Sequence, residues 1–258
     1  MPVGAGGVIH VNVNCTDLTR SLAFYRDEIG LTPATRTAPD APQPGAAFGL
    51  EMAQWDAWMM GGPDGFRATV VDLLEWKVPR PAPRGGATLG FRRLRLSAPG
   101  ATARPVTDPD GTAVDIEPGR GGPSGVVVAC SDPVRSRAFY DEVVGLGSFV
   151  ELVADRGAAP APRGATTVGI WRLALGTDDI DADVTTLRRL GVDCLSDPAE
   201  LSMGPGLPLL RFVLFPDPDG TMLELIERPR PAPKAKSSRR RAGVRASRVQ
   251  PEAGRRPR

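Results

Sequence analysis

The sequence contains few histidines, cysteines and aromatic residues. Among 258 residues there is one histidine, His10, and aromatic residues make up 5%. The three cysteines Cys15, Cys130 and Cys194 cannot all pair within one chain and show no Cys-x-x-Cys spacing, which argues against a disulfide framework or a structural zinc site. No apolar run approaches the ~20 residues needed to cross a bilayer, and the N-terminus lacks the pattern of a signal peptide. We therefore expect a reduced, cytoplasmic protein without a membrane segment.

Charge is divided unevenly along the chain. Residues 229–258 contain nine Arg and two Lys against Glu252, a net charge of +10, so the total of +2 leaves −8 for the other residues. The C-terminal segment has almost no large apolar side chain and cannot bury a core, so we expect a disordered basic tail. Nucleic-acid binding by this tail is one interpretation. The absence of base-stacking aromatic residues favours a solvated tail beside its own acidic domain.

Three segments of the chain occur twice, at different separations. Residues 11–31 and 126–146 share eleven of 21 positions at a shift of 115, and residues 81–96 and 160–175 share ten of 16 at a shift of 79. The third pair is Asp-Pro-Asp-Gly-Thr at 108–112 and 217–221, at a shift of 109. The chain is therefore a duplication, with each copy built from two units.

The unequal separations show where each copy is shortened. The fall from 115 to 79 means that the second copy lacks 36 residues in its first half, and the rise to 109 means that the first copy lacks 30 residues in its second half. Units 1 and 4 are consequently long, and units 2 and 3 are truncated. The complementary deletions favour pairing of the two long units, which would build one complete cup and one reduced one.

The long units share an order of strand, helix and further strands. Residues 8–15 alternate with period two, Asp17 is a suitable N-cap, and Gly30 ends the helix that follows. In unit 4 the predicted helix spans 181–190. The predicted strands after the first one are 46–52, 67–76, 89–96, 112–116, 149–153, 168–175, 209–215 and 221–226.

This organisation resembles the vicinal oxygen chelate superfamily of glyoxalase, bleomycin-resistance and extradiol-dioxygenase proteins. The resemblance is carried by the segments at 10–17, 21–25 and 30–31 and by the two Asp-Pro-Asp-Gly turns. It implies an α+β fold of tandem βαβββ units, with units 2 and 3 truncated, forming curled mixed sheets with a ligand in the concave face. The modules would be residues 1–118 and 125–228, followed by the tail at 229–258.

The resemblance also implies where site residues lie. Metal ligands of this family come from the first and last strands of paired units, which assigns His10, Glu75 and Glu224 here. Such a set would suit one divalent ion, Mn²⁺, Fe²⁺ or Mg²⁺. The fourth position holds Arg172, which cannot ligate a cation, so metal-free acid–base chemistry by His10, Glu75 and Arg172 is the other interpretation.

Further residues are predicted to contact a ligand. Asn12 and Asn14 share the polar strand face of His10 and are expected to line the cup. Trp55, Trp58 and Met59 lie in a segment interpreted as a connection that closes over a flat aromatic molecule.

Two functions follow from these assignments. The first is an enzyme of bacterial secondary metabolism that isomerises, cyclises or opens a ring in a small, oxygen-rich, aromatic or polyketide-type metabolite. The second is a non-catalytic protein that binds and sequesters an antibiotic. The expected partner is a small-molecule ligand, with no membrane contact, and pairing as a homodimer is left open. No GxSxG elbow, Walker A loop or dinucleotide fingerprint points to another class of enzyme.

Overall fold

A computed structural model describes residues 2–86 and 88–228 of the chain. The basic segment predicted to be disordered, 229–258, lies outside these residues. Within the described part, no helix is long and apolar enough to span a membrane.

The larger of the two sheets combines the strands of units 1 and 4. Its nine strands follow the order β12-β13-β14-β11-β1-β5-β4-β2, with β3 added beside β4. Unit 1 supplies β1 Val8–Cys15, β2 Thr32–Thr37, β3 Gln43–Pro44, β4 Met52–Gly61 and β5 Val70–Val78. Unit 4 supplies β11 Gly169–Thr177, β12 Ala199–Leu201, β13 Leu210–Pro216 and β14 Met222–Glu227.

The smaller sheet combines the truncated units 2 and 3 in the order β10-β9-β6-β8-β7. Its strands are β6 Gly90–Ala98, β7 Arg104–Thr107, β8 Ala113–Pro118, β9 Gly122–Cys130 and β10 Val150–Ala154.

Each sheet is joined at its centre by strands from different copies of the duplication. β1 pairs antiparallel with β11, and β6 pairs antiparallel with β9, whereas β1–β5 and β11–β14 are parallel pairs. Both sheets are therefore mixed, and the predicted pairing of units 1 and 4 is confirmed. Because each sheet spans both copies, the division into modules 1–118 and 125–228 stays a prediction.

The helices begin where an aspartate caps them. Asp17, Asp132 and Asp179 each accept a hydrogen bond from a backbone N–H of the first turn, which satisfies donors that a helix start leaves unpaired. A π-helical turn continues each of the first two helices, and Gly30 then takes a φ of +86°, which suits glycine. The helices are α1 Leu18–Ala23, α2 Pro133–Ala138 and α3 Ile180–Arg189, and the π turns are Phe24–Glu28 and Phe139–Val143.

The repeated motifs bind the two units of each copy together. The hydroxyl of Tyr25 donates to Asp108 at 3.1 Å, and that of Tyr140 donates to Asp217 at 2.9 Å. Both tyrosines are fully buried, so the repeated Ala-Phe-Tyr and Asp-Pro-Asp-Gly segments are structural, as the sequence indicates for the tyrosines.

The sequence prediction is wrong for the region before β5. Residues 46–48 form a 3-10 turn, and the strand predicted at 46–52 instead runs over Met52–Gly61. The segment 54–60, interpreted as a mobile connection, is thus the middle of β4. Alternate residues of β4 are buried, and the strand pairs with β2 on one side and β5 on the other. This period-two burial makes the segment a strand, although Gly and Pro residues follow it directly.

Candidate functional site

Four ionisable side chains meet on the concave face of the larger sheet. The register pairs Val11 with Leu173 across the β1–β11 contact, and each has a parallel neighbour, Val71 and Leu223 respectively. His10 precedes Val11 as Arg172 precedes Leu173. In the same way, Asp72 follows Val71 and Glu224 follows Leu223. The local two-fold arrangement thus places the four residues His10, Arg172, Asp72 and Glu224 around one point.

The guanidinium of Arg172 lies between the two carboxylates. Its Nε is 2.8 Å from Glu224 Oε2, and its Nη2 is 2.9 Å from Asp72 Oδ2. Asn12 also donates to Asp72 Oδ2 at 3.1 Å. The side chains of Arg172, Asp72 and Glu224 are at most 7% exposed. A buried ion pair contributes little net stability compared with packed apolar residues, so this cluster suggests a role beyond folding.

His10 completes the cluster through ionic contacts, and its Nε2 makes no well-aligned hydrogen bond to the described residues. Its Nε2 lies 3.3 Å from Glu224 Oε2 and 3.7 Å from Asp72 Oδ2. Neither contact is aligned as a hydrogen bond, and no group in the described part of the chain satisfies this buried nitrogen. Asp72 Oδ1 and Arg172 Nη1 are likewise buried without partners among the described residues. Leaving such groups unpaired costs free energy unless a ligand or water binds them.

The charges within the cluster shift two of its pKa values. Burial tends to raise the pKa of Glu224, but the adjacent Arg172 and His10 together outweigh burial and the pKa is lowered. Burial tends to lower the pKa of Arg172, but Glu224 and Asp72 together raise it. Glu224 is therefore held as a carboxylate and Arg172 as a guanidinium.

The cluster forms the polar end of a cavity of about 150 Å³. His10, Asp72, Arg172 and Glu224 all line it, and Thr37 adds a hydroxyl that accepts a hydrogen bond from Trp55 Nε1. The remaining wall is aromatic, aliphatic and thioether in character: Ile9, Phe48, Trp55, Met59, Phe66, Leu74, Leu201, Met203, Leu210, Phe212 and Ile226. Apart from Thr37, a molecule bound here would meet polar groups only at the four-residue cluster.

Two segments of the long units are joined by hydrogen bonds across the cavity rim. Gln43 Nε2 donates to Ser202 O at 2.9 Å, and Ser202 N donates to Gln43 Oε1 at 3.0 Å. Ala38 N donates to Met203 O at 2.9 Å. We call residues 38–43 and 202–203 the clasp. It joins the β2 and β12 ends of the sheet, and Met203 contributes to the cavity wall.

Glu75 does not join the cluster, contrary to the sequence prediction. It is paired with Lys77 Nζ at 2.6 Å, and its Oε2 accepts from Leu18 N at the start of α1. Successive residues of a strand point to opposite faces, so Asp72 and Leu74 face the cavity while Glu75 faces the helices. Asp72 is the residue that the sequence reasoning missed. In the folded sheet Asp72 and Glu224 are each the third residue of their strands, but the predicted strands 67–76 and 221–226 do not align them.

The residues predicted to contact a ligand fall into two groups. Trp55 and Met59 line the cavity, whereas Trp58 packs against the core on the helix side of β4. Asn12 lies beneath the cavity, where it holds Asp72. Asn14 is fully buried and donates to the carbonyls of residues 165 and 167. Asn12 therefore supports the site through Asp72, and neither asparagine forms the cavity surface.

Comparisons with known proteins identify the fold but no close relative. No family model matches the sequence, and no curated protein matches it. Among solved structures, glyoxalase I from Zea mays superposes with a TM-score of 0.61 at 16% identity, covering 86% of this chain and 92% of that one. The cppA protein from Streptococcus pneumoniae superposes with a TM-score of 0.52 at 10% identity, covering 86% of this chain and all of that one. This chain has the vicinal oxygen chelate fold. The predicted α+β class, with curled mixed sheets, is confirmed.

The divalent metal site that the resemblance offered as one of two interpretations does not suit the residues present. The expected set of His10, Glu75 and Glu224 is not assembled, because Glu75 points away. Asp72 occupies the position instead, but Arg172 binds the very oxygens of Asp72 and Glu224 that lie nearest His10. A guanidinium has no lone pair to offer a cation. Across residues 2–86 and 88–228, no group of three or more His, Cys, Asp or Glu side chains is placed to hold a metal ion.

Proposed function

We propose that the protein is an enzyme that moves a proton on a small, largely apolar molecule, with His10 as the acid–base group. The observation that carries this proposal is the position of His10 Nε2, which is buried, lines the cavity and has no hydrogen-bond partner among the described residues. Histidine exchanges protons near neutral pH, which suits this role.

The neighbouring groups suit a step in which charge moves onto an oxygen. His10 would accept a proton from a carbon beside a carbonyl group, and the C–H electron pair would pass to the carbonyl oxygen. Arg172 Nη1 would donate a hydrogen bond to that oxygen. The carboxylate of Glu224, 3.3 Å away, would stabilise the imidazolium. Return of the proton to the other face of the same carbon inverts it, and return to the far carbon of a conjugated double bond moves that bond, so either isomerisation balances without an oxidant.

The substrate class proposed from sequence was a small, oxygen-rich, aromatic or polyketide-type metabolite, and we keep its ring-bearing part while the mostly apolar wall disfavours an oxygen-rich molecule. The aromatic and thioether walls support a ring-bearing molecule. Because most of the cavity wall is apolar, we expect the oxygen atoms of the substrate to lie near His10. A place in bacterial secondary metabolism is consistent with such a substrate and is part of the proposal.

Hydrogen exchange tests the proposal without knowledge of the natural substrate. The probe is 1-phenylpropan-2-one, a ring-bearing ketone, incubated with the protein in D₂O after its binding has been established by thermal shift. We expect proton NMR to show loss of the hydrogens next to the carbonyl faster than in buffer. His10→Gln and His10→Ala should slow this exchange by roughly 10²–10⁴-fold.

Glu75→Gln is the matched control, since Glu75 is on the opposite face of the sheet and should leave exchange unchanged. Exchange at the wild-type rate in both His10 variants would show that His10 is not the base.

Sequestration of a small molecule is the second candidate function. It is favoured by the apolar wall and by the clasp, which retain a ligand without requiring chemistry. Binding of the probe by the wild-type protein without exchange above the buffer rate would favour this function over the first.

A further inference from the structure

With both of its carboxylates ionised, the cavity carries no net positive charge for either form of the His10 imidazole. Asp72 and Glu224 contribute two negative charges and Arg172 contributes one positive charge. With a neutral imidazole the sum is −1, and with an imidazolium it is zero. Among the described residues that line the cavity, these four are the only ionisable ones.

The single guanidinium is already shared between two carboxylates. Its Nε and Nη2 are bound to Glu224 and Asp72, so only Nη1 remains for a ligand. This single NH₂ group suits a neutral oxygen. An anionic ligand would lie beside two carboxylates at low dielectric, where like charges a few ångströms apart repel strongly.

The unpartnered atoms define what the ligand must offer. Asp72 Oδ1 needs a donor, and Arg172 Nη1 needs an acceptor. A hydroxyl group supplies both, and an ammonium group supplies the donor together with a compensating charge. A carboxylate or phosphate supplies only acceptors and would leave Asp72 Oδ1 unpaired.

The size and walls of the cavity restrict the rest of the ligand. An apolar cavity of about 150 Å³ holds a molecule of the size of benzene, and the volume here is about 150 Å³. Phe48 contacts Trp55 edge-to-face, and both line the cavity with Phe212. An aromatic wall of this kind favours a flat ring and accepts a cation over its faces.

We infer that the ligand of this cavity is a molecule of about one ring that is uncharged or cationic at its polar end, and that anionic molecules are excluded. The inference names the substrate class of the proposed enzyme and rests on the proposed role of the cavity as its binding site. Thioesters and other conjugates that carry a phosphate or carboxylate group near the reacting atoms fall outside this class.

Three ligands that each contain one benzene ring and differ in charge test the inference by binding measurements alone. Benzylamine, protonated near neutral pH, benzyl alcohol and benzoate are titrated into the full-length protein by isothermal calorimetry. We expect benzylamine and benzyl alcohol to bind and benzoate to bind at least about tenfold more weakly than either. Benzoate binding as tightly as benzyl alcohol would overturn the exclusion of anions. Failure of all three to bind at about 10 mM would overturn the proposed ligand size.

Asp72→Asn tests whether the buried cluster causes the preference for uncharged and cationic ligands, because it removes one negative charge with little change of shape. The ratio of benzylamine to benzoate affinity should fall several-fold in this variant, and Glu224→Gln should act in the same direction. Asp115→Asn is the control, since Asp115 pairs with Arg93 at 3.0 Å on the open face of the smaller sheet. A ratio unchanged by Asp72→Asn, or lowered equally by Asp115→Asn, would show that the cluster does not select the ligand's charge.

The binding series and the exchange assay test different claims, so either claim can be wrong while the other stands. If the charge order holds but the ketone shows no exchange, the proposed catalysis is wrong and the ligand class stands. If exchange depends on His10 but benzoate binds well, the catalysis stands and the ligand class is wrong.

Discussion

Arg172→Met is the most informative single change for the buried cluster. It keeps an unbranched side chain in the cavity wall and removes the cation that lies 2.8 Å from Glu224 and 2.9 Å from Asp72. Two buried carboxylates would then face each other without compensation. Removing one partner of a buried pair costs about 3–5 kcal/mol, and we expect a loss of that size in the free energy of unfolding near neutral pH.

The chain contains a matched control for this change. Arg93 occupies the position equivalent to Arg172 in the shorter repeat. It pairs with Asp115 at 3.0 Å, but its side chain is 43% exposed. Exposed pairs contribute about 0–1 kcal/mol, so Arg93→Met should lower stability by no more than that. The comparison separates the effect of burial from the effect of deleting a guanidinium.

The loss caused by Arg172→Met should depend on pH. In the wild type, the folded pKa of Glu224 is lowered, so its contribution to stability is present above the unfolded value of about 4.3 and is lost as the pH falls through the folded value. Without Arg172, burial loses its strongest opposing charge, and we expect the folded pKa of Glu224 to rise above the unfolded value. Stability of the variant should then fall as the pH rises through that raised pKa.

The difference between wild type and variant should therefore be larger at about pH 8 than at about pH 5. The assay is urea unfolding at both pH values, with the slope against denaturant compared to establish that the unfolding reaction is the same. A loss below about 1 kcal/mol, or an equal loss at both pH values, would refute the account of the cluster.

Two further changes test how the fold holds the site. Tyr25→Phe removes the hydrogen bond to buried Asp108 and should lower the free energy of unfolding by about 1–3 kcal/mol in the same assay, whereas a loss close to zero would mean that the repeated Tyr and Asp residues do not join the two units. Gln43→Ala removes both hydrogen bonds to Ser202 in the clasp, so stopped-flow measurements should show benzyl alcohol dissociating several-fold faster, while stability changes by less than about 1.5 kcal/mol because the pair is exposed. An unchanged dissociation rate would show that the clasp does not control access to the cavity.

The local structure of the long units follows from nearby residues in the sequence. The alternation of Val11 and Val13 with polar residues predicts β1 over Val8–Cys15, since one face of a strand packs on the core. Asp17 predicts the start of α1, because its carboxylate satisfies a helix-start N–H within the same turn. The unequal repeat separations predict the pairing of units 1 and 4, since a short unit cannot complete a cup with a long one.

The choice between Asp72 and Glu75 was decided only by the tertiary structure. Both lie in β5, which is buried on both faces along most of its length, so its hydrophobic pattern carries no information about which face is which. The face depends on hydrogen-bond register with β1, and a shift of one residue reverses it. The sequence alone did determine that the unique His10 and Arg172 occupy candidate site positions. Only the folded sheet placed Arg172 between two carboxylates, because Asp72 is 100 residues distant along the chain and joins it through strand pairing.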